Sequence, residues 1–230
     1  MRSLLLIIIV FAAVWTTEAQ VRESEQYTKA EHSDPQAKAI LDKLRKKYDA
    51  YNSLEADFTL EIQFPEQPKE VQKGTLIRQG DKYKLDLASQ SVVSDGKALW
   101  LILHNNKEVQ INNVPDPDEV DESLLTPEAL FNFYEKGKYV YQFVNEFTEK
   151  GKLVQHIEFK PLDQYSGYSK LRLVVDKRKN EIVSVTAFAK DGSRYVFNIG
   201  TFLPNKSYAS NFFTFDKSKY SDYYVEDLRD

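Results

Sequence analysis

Leu54-Glu55-Ala56-Asp57-Phe58-Thr59-Leu60-Glu61-Ile62-Gln63-Phe64 alternates apolar and polar residues along its whole length. A period of two places one set of side chains on each face of an extended chain, so this stretch predicts a long antiparallel strand with one buried and one wet face. Upstream the period changes. Asp34-Pro35 reads as an N-cap followed by proline at the first helical position, and Ala37, Ile40, Leu41, Leu44, Tyr48 and Tyr51 recur at helical spacing. One amphipathic helix is expected from about Pro35 to Tyr51, with Asp42, Lys43, Arg45, Lys46 and Asp49 on its polar face.

Downstream, strand signals repeat. Gly74 to Arg78 and Lys82 to Leu87 flank the turn Gln79-Gly80-Asp81, Asp95-Gly96 is a hairpin turn, and Ala98 to Leu103 and Glu108 to Val114 flank Asn105-Asn106. An acidic loop, Pro115 to Glu122, precedes Thr126-Pro127-Glu128, which predicts a second helix through Leu130, Phe131 and Tyr134. Five further strands follow: Tyr139 to Phe147, Leu153 to Lys160, Ser169 to Val175, Glu181 to Ala189 and Ser193 to Gly200. About nine to eleven strands and two helices fit one mainly β (α+β) domain. A single open barrel or strongly curved antiparallel sheet, with helices inserted over one opening, fits that order.

At the N-terminus, Met1-Arg2-Ser3 gives a short basic start, Leu4 to Trp15 is an apolar run, and Thr16-Thr17-Glu18-Ala19 ends it in small and polar residues. Residues 1–19 therefore read as a cleavable signal peptide, too short to span a bilayer as a helix of ~20 residues. Residues 20–33 are polar and without period, a flexible leader, and residues 34–230 form the domain. The chain has no cysteine, which excludes disulfides, thiolate metal sites and a lipidated N-terminal cysteine. An exported chain without disulfides fits a bacterial periplasm. A net charge of −4 argues against nucleic acid, which calls for a basic stripe. The 14 tyrosines and 14 phenylalanines suit strands around an apolar space.

Catalytic patterns are missing from the sequence. There is no nucleophile elbow, glycine-rich dinucleotide loop, phosphate loop or zinc-protease motif, and His32, His104 and His156 have no ligand spacing. The acidic loop lacks the glycine and spacing of a calcium-binding hand. Strand carboxylates abound, and none forms a distinguished pair for glycoside hydrolysis. The usual catalytic and metal-binding constellations thus fail one by one, and a hydrolase using strand carboxylates stays open. A curved sheet of ~10 strands encloses more space than its own side chains fill, which suits an apolar ligand.

Three segments carry a family resemblance. Val92-Val93-Ser94-Asp95-Gly96-Lys97-Ala98-Leu99-Trp100, the run Ser53-Leu54-Glu55-Ala56-Asp57-Phe58-Thr59, and Phe213-Thr214-Phe215-Asp216 with Val225-Glu226-Asp227-Leu228-Arg229 together resemble the periplasmic outer-membrane lipoprotein carrier family, LolA. The resemblance implies a monomeric periplasmic carrier, an unclosed antiparallel β-barrel or strongly curved sheet with a helical lid over an apolar cavity that shields the acyl chains of lipoproteins, with no catalysis and no cofactor. The cargo would be released by an inner-membrane ABC transporter and delivered to an outer-membrane acceptor or to the outer membrane itself. It implies cavity and lid residues at Leu44, Tyr48, Tyr51, Leu54, Tyr83, Leu85 and Phe131. The family arginine that latches the lid aligns with Gln79, and Arg78 is expected on the opposite face. Other readings are a half-barrel binder or sensor of another lipid or amphiphile, and a secreted hydrolase.

Overall fold

The structure is a computed structural model describing residues 29–114, 137–209 and 211–229. The signal peptide, most of the leader, the acidic loop and the second helix with Phe131 lie outside the described residues. No helix among the described residues is long and apolar enough to cross a membrane.

One helix, α1 (Pro35–Asp49), precedes the strands, and it begins as its sequence predicts: Asp34 accepts from the Gln36 amide at 2.7 Å, with proline at the first position. Twelve strands follow in chain order. They are β1 (Ser53–Gln63), β2 (Glu70–Gln79), β3 (Lys82–Leu87), β4 (Gln90–Ser94), β5 (Ala98–Leu103), β6 (Glu108–Asn113), β7 (Tyr139–Glu149), β8 (Lys152–Pro161), β9 (Tyr168–Asp176), β10 (Glu181–Ala189), β11 (Arg194–Pro204) and β12 (Tyr224–Asp227). They form a single sheet in the order β12-β6-β5-β4-β3-β2-β1-β11-β10-β9-β8-β7. The end strands β12 and β7 do not pair with each other, so the barrel is open, as expected from the order of elements. All pairings are antiparallel except β12 with β6, which is parallel. Sequence reading missed β12 because four residues, two exposed and two partly buried, leave no period to detect.

Register assigns the faces. Leu54, Ala56, Phe58 and Leu60 of β1 are buried on the same side as Leu76, Tyr83, Leu85 and Leu87. This concave face also takes Phe197, Val185, Leu173, Ile157 and Phe159 from the other half of the sheet. The apolar stripe of α1, Ala37, Ile40, Leu41, Leu44 and Tyr48, is buried in the same cluster. Full burial of one such aliphatic side chain is worth ~1.5–3 kcal/mol, and this face supplies the main stabilisation.

The C-terminal segment packs on part of the convex face. It leaves β11 with Ser53 Oγ donating to the Lys206 carbonyl and Tyr208 Oη donating to Glu55, both at 2.5 Å. It crosses β4 and β5, where Phe215 stacks on Trp100 at 6.1 Å beside Val93, Ile102 and Val109, and then joins the sheet as β12. Two of the segments that carry the family resemblance thus meet here, far from the concave face.

Candidate functional site

Most of the sequence-expected cavity residues come together on the concave side. Leu44, Tyr48, Leu54, Tyr83 and Leu85 are buried in one cluster and Tyr51 packs against its edge. Their union follows from two periods: 3.6 on α1 and 2 on the strands, aimed at a common layer. Leu85 has no exposed surface, so in this closed arrangement it is packed core rather than open wall.

The half-exposed residues at the rim of that cluster went unrecognised in the sequence. Leu99 and Leu101 on β5, Tyr139, Tyr141 and Phe143 on β7, and Tyr195, Ile199 and Phe202 on β11 are partly buried and packed against it. Two ring groups stand out. Tyr48, Tyr51 and Phe202 gather at the C-terminal end of α1, with centroids 5.3–6.1 Å apart. Tyr139 and Tyr141 flank Phe159 at 6.3 and 5.5 Å. The alternation Tyr139-Val140-Tyr141-Gln142-Phe143 was the available signal, since period two aims all three rings inward.

α1 is tied down at both ends. At its start, the Asp34 amide donates to the Tyr141 carbonyl at 2.9 Å and the Asp34 carboxylate accepts from the Phe143 amide at 3.1 Å. These bonds also satisfy part of the free edge of β7. At its end, Tyr48 Oη accepts from the Ile182 amide at 3.0 Å, and Lys47 pairs with Glu181 at 2.9 Å. The described end of the leader joins in: Ala30–His32 is one 3-10 turn, and Ser33 Oγ accepts from the Tyr141 amide.

Gln79 and Arg78 occupy opposite faces, and register says which is which. Arg78 is paired with Leu54 and Tyr83 and therefore shares their concave side. Gln79 is paired with Ser53 and Lys82 and is exposed on the convex side. β2 runs through Gln79 in register with β1, which turns this odd-numbered side chain to the side opposite α1. Among the described residues the Arg78 guanidinium has no hydrogen-bond or ion-pair partner.

Gly74 shapes the middle of this face. Residue 74 sits opposite Phe58, whose ring lies where a side chain would go, and an added Cβ would also stand 2.8 Å from Leu87. Beside it a groove of about 710 Å³ runs past Asp57, Phe58, Leu87, Asn198 and Gly200, next to the register shift in β1.

The Ser94-Asp95-Gly96 motif makes a turn, not a site. Asp95 accepts from the Lys97 and Ala98 amides at 2.8 and 2.9 Å, and Gly96 supplies a φ of 86°. Partial burial pushes the Asp95 carboxyl up, yet the two amides outweigh it and hold it below the usual carboxylate range.

One side-chain chain on the convex side has the residue types of a nucleophile site. Ser91 Oγ donates to Asp86 at 2.7 Å and lies 3.0 Å from His104 Nε2, and His104 Nδ1 lies 3.4 Å from Tyr223 Oη. With the serine proton directed at Asp86, the imidazole donates to Ser91 instead of taking its proton, the reverse of activation. The chain binds the C-terminal segment to the sheet. Among the described residues no group of three or more histidine, aspartate or glutamate side chains is placed to hold a metal ion.

The family model described as outer membrane lipoprotein carrier protein LolA matches residues 49–216. No curated protein matches in sequence. Among solved structures, a conserved protein of Thermus thermophilus has 13% identity over 85% of this chain and 99% of its own, with a TM-score of 0.55. A LolA superfamily protein of Nitrosomonas europaea has 14% identity over 79% and 98%, with a TM-score of 0.42. The lipoprotein LppX of Mycobacterium tuberculosis has 9% identity over 77% and 100%, with a TM-score of 0.48. At these identities the likeness concerns the fold.

Proposed function

Because the chain belongs to the outer membrane lipoprotein carrier protein family, LolA, we propose that it carries lipoproteins across the periplasm with their acyl chains on its concave face. The observation that supports this reading is the continuation of the apolar concave face beyond the buried core. Leu99, Leu101, Tyr141, Phe143 and Phe202 keep part of their surface exposed around a core closed by a helix. Each acyl CH₂ withdrawn from water is worth ~0.8 kcal/mol, so lipid chains require such cover in transit.

In this reading the closed arrangement is the empty form. Leu44, Tyr48, Leu54, Tyr83 and Leu85 fill the space by packing on one another, and cargo enters as α1 swings from the sheet. No catalysis and no cofactor are needed. The signal peptide 1–19 would be removed on export, and the mature chain would act as a periplasmic monomer. It would take cargo from an inner-membrane lipoprotein-releasing ABC transporter and pass it to an outer-membrane acceptor or to the outer membrane itself.

The test is release. Mature protein is added to inner-membrane preparations containing the cognate transporter and ATP. Lipoprotein moves into the soluble fraction in complex with the carrier if the reading is right. Cargo that stays in the membrane pellet beside folded protein and an active transporter overturns it.

A further inference from the structure

The chain has a net charge of −4, yet one end of the half-barrel gathers cations. A cleft of about 440 Å³ opens between α1 and the β9–β10 turn. Lys43, Lys46 and Lys47 of α1 line it together with Lys177, and Gln155 and Asn180 add amides. Positions 43, 46 and 47 fall on one side of the helix because they are three and four residues apart, a spacing at which like charges repel. Among the described residues no carboxylate lines the cleft. Two of its lysines are paired with carboxylates that do not line it: Lys47 with Glu181 at 2.9 Å and Lys177 with Glu146 at 2.8 Å. Lys43 and Lys46 have no acidic partner among the described residues. Arg178 and Lys179, in the same turn as Lys177, add the same sign.

The remaining lining residue is Ile40, which is buried in the concave cluster with Leu41 and Leu44. Through Ile40 the cationic cleft borders directly on the apolar face. Such an arrangement suits a molecule with an anionic head and apolar chains. Ammonium groups give charge-assisted hydrogen bonds to phosphate oxygens, and four of them surround this space.

We infer that the cleft is a subsite for the phosphate of an anionic phospholipid, whose acyl chains lie under α1 on the concave face. The inference rests on the concave-face reading and extends the cargo beyond lipoproteins. A phosphate seated between Lys43 or Lys46 on the helix and Lys177 on the sheet would also tie α1 down, so headgroup binding and lid closure would support each other.

The experiment compares short-chain phosphatidylglycerol with the uncharged diacylglycerol of identical chains, both below the concentration at which they aggregate, and with glycerol 3-phosphate. Binding to the full mature chain is followed by calorimetry. Phosphatidylglycerol should bind about fivefold tighter than the diacylglycerol, the yield of two partly exposed charge pairs. The difference should shrink with added salt. K43Q/K46Q should abolish the difference while leaving diacylglycerol binding unchanged, and K43R/K46R should retain it. Equal affinities in the unsubstituted protein, or a difference that survives K43Q/K46Q, overturn the headgroup subsite and leave the concave-face reading standing. Glycerol 3-phosphate binding as tightly as phosphatidylglycerol overturns it in favour of a free phosphate ligand. Failure of both lipids to bind overturns the concave-face reading and the subsite with it.

Discussion

Tyr48 Oη accepts a hydrogen bond from the backbone amide of Ile182 at 3.0 Å, with both residues buried. The bond sits beside a bulge, where the β9–β10 ladder shifts register between Ile182 and Ser184. A helix residue therefore supplies a partner to a strand amide at the point where strand pairing is irregular. It also fixes the end of α1 to the sheet.

Tyr48→Phe keeps the ring and its contacts with Tyr51 and Phe202 but leaves the Ile182 amide buried without this acceptor. The expected cost is about 1–3 kcal/mol, the penalty of an unsatisfied buried donor. A lower denaturant midpoint at unchanged slope, with faster hydrogen exchange at Ile182 and along α1, is the expected readout. Unchanged exchange at Ile182 would show that the bond does not hold the helix.

Positions 78 and 79 separate by face. Gln79 is exposed on the convex side, so Gln79→Arg should change stability by less than about 0.5 kcal/mol and leave hydrogen exchange in residues 35–49 unaltered. Arg78 shares the side of Leu54 and Tyr83, so Arg78→Gln should alter cargo uptake or release. Altered α1 exchange in Gln79→Arg with none in Arg78→Gln would reverse this assignment of a latch.

Stability should fall on acidification in two stages. Burial, and then the nearby Arg172 charge, depress the His156 imidazole below its ordinary 6.5. The unfolded chain therefore takes up this proton first, and stability declines as pH falls below about 6.5. Glu158 behaves as a depressed acid. Partial burial pushes its carboxyl up, but the Arg172 and Lys170 hydrogen bonds at 2.5–3.0 Å outweigh burial and hold it below its ordinary 4.5. Its contribution is complete above that value and is lost as pH falls through the folded one. Denaturant midpoints measured from pH 7.5 to 3.5 should show both declines. His156→Phe should remove the upper one, and its persistence in that variant would exclude His156 as the source.

Much of the architecture is legible in the chain. Alternation from Leu54 to Phe64 makes β1 and decides which of its residues are buried, because a strand has a strict period of two and water allows one apolar face. Asp34-Pro35 starts α1 where the cap chemistry requires, and Asp95-Gly96 makes its turn by purely local bonds. Among the described residues, the apolar side chains expected of the cavity gather in one place for the same reason. Their period is local, and burial gives every apolar face the same destination.

What tertiary structure alone decided is the relation between elements. Whether Arg78 or Gln79 faces inward depends on how β2 registers against β1 and β3, and adjacent residues in either register look alike in sequence. The parallel pairing of β12 with β6, and the stacking of Phe215 on Trp100, bring together segments separated by more than a hundred residues, with no local period to announce them. The lysine cleft is of the same kind. Lys43 and Lys46 read as the solvated face of a helix, and only the packing of α1 against β10 places them beside Lys177, since charge is felt through space and sequence records distance only along the chain.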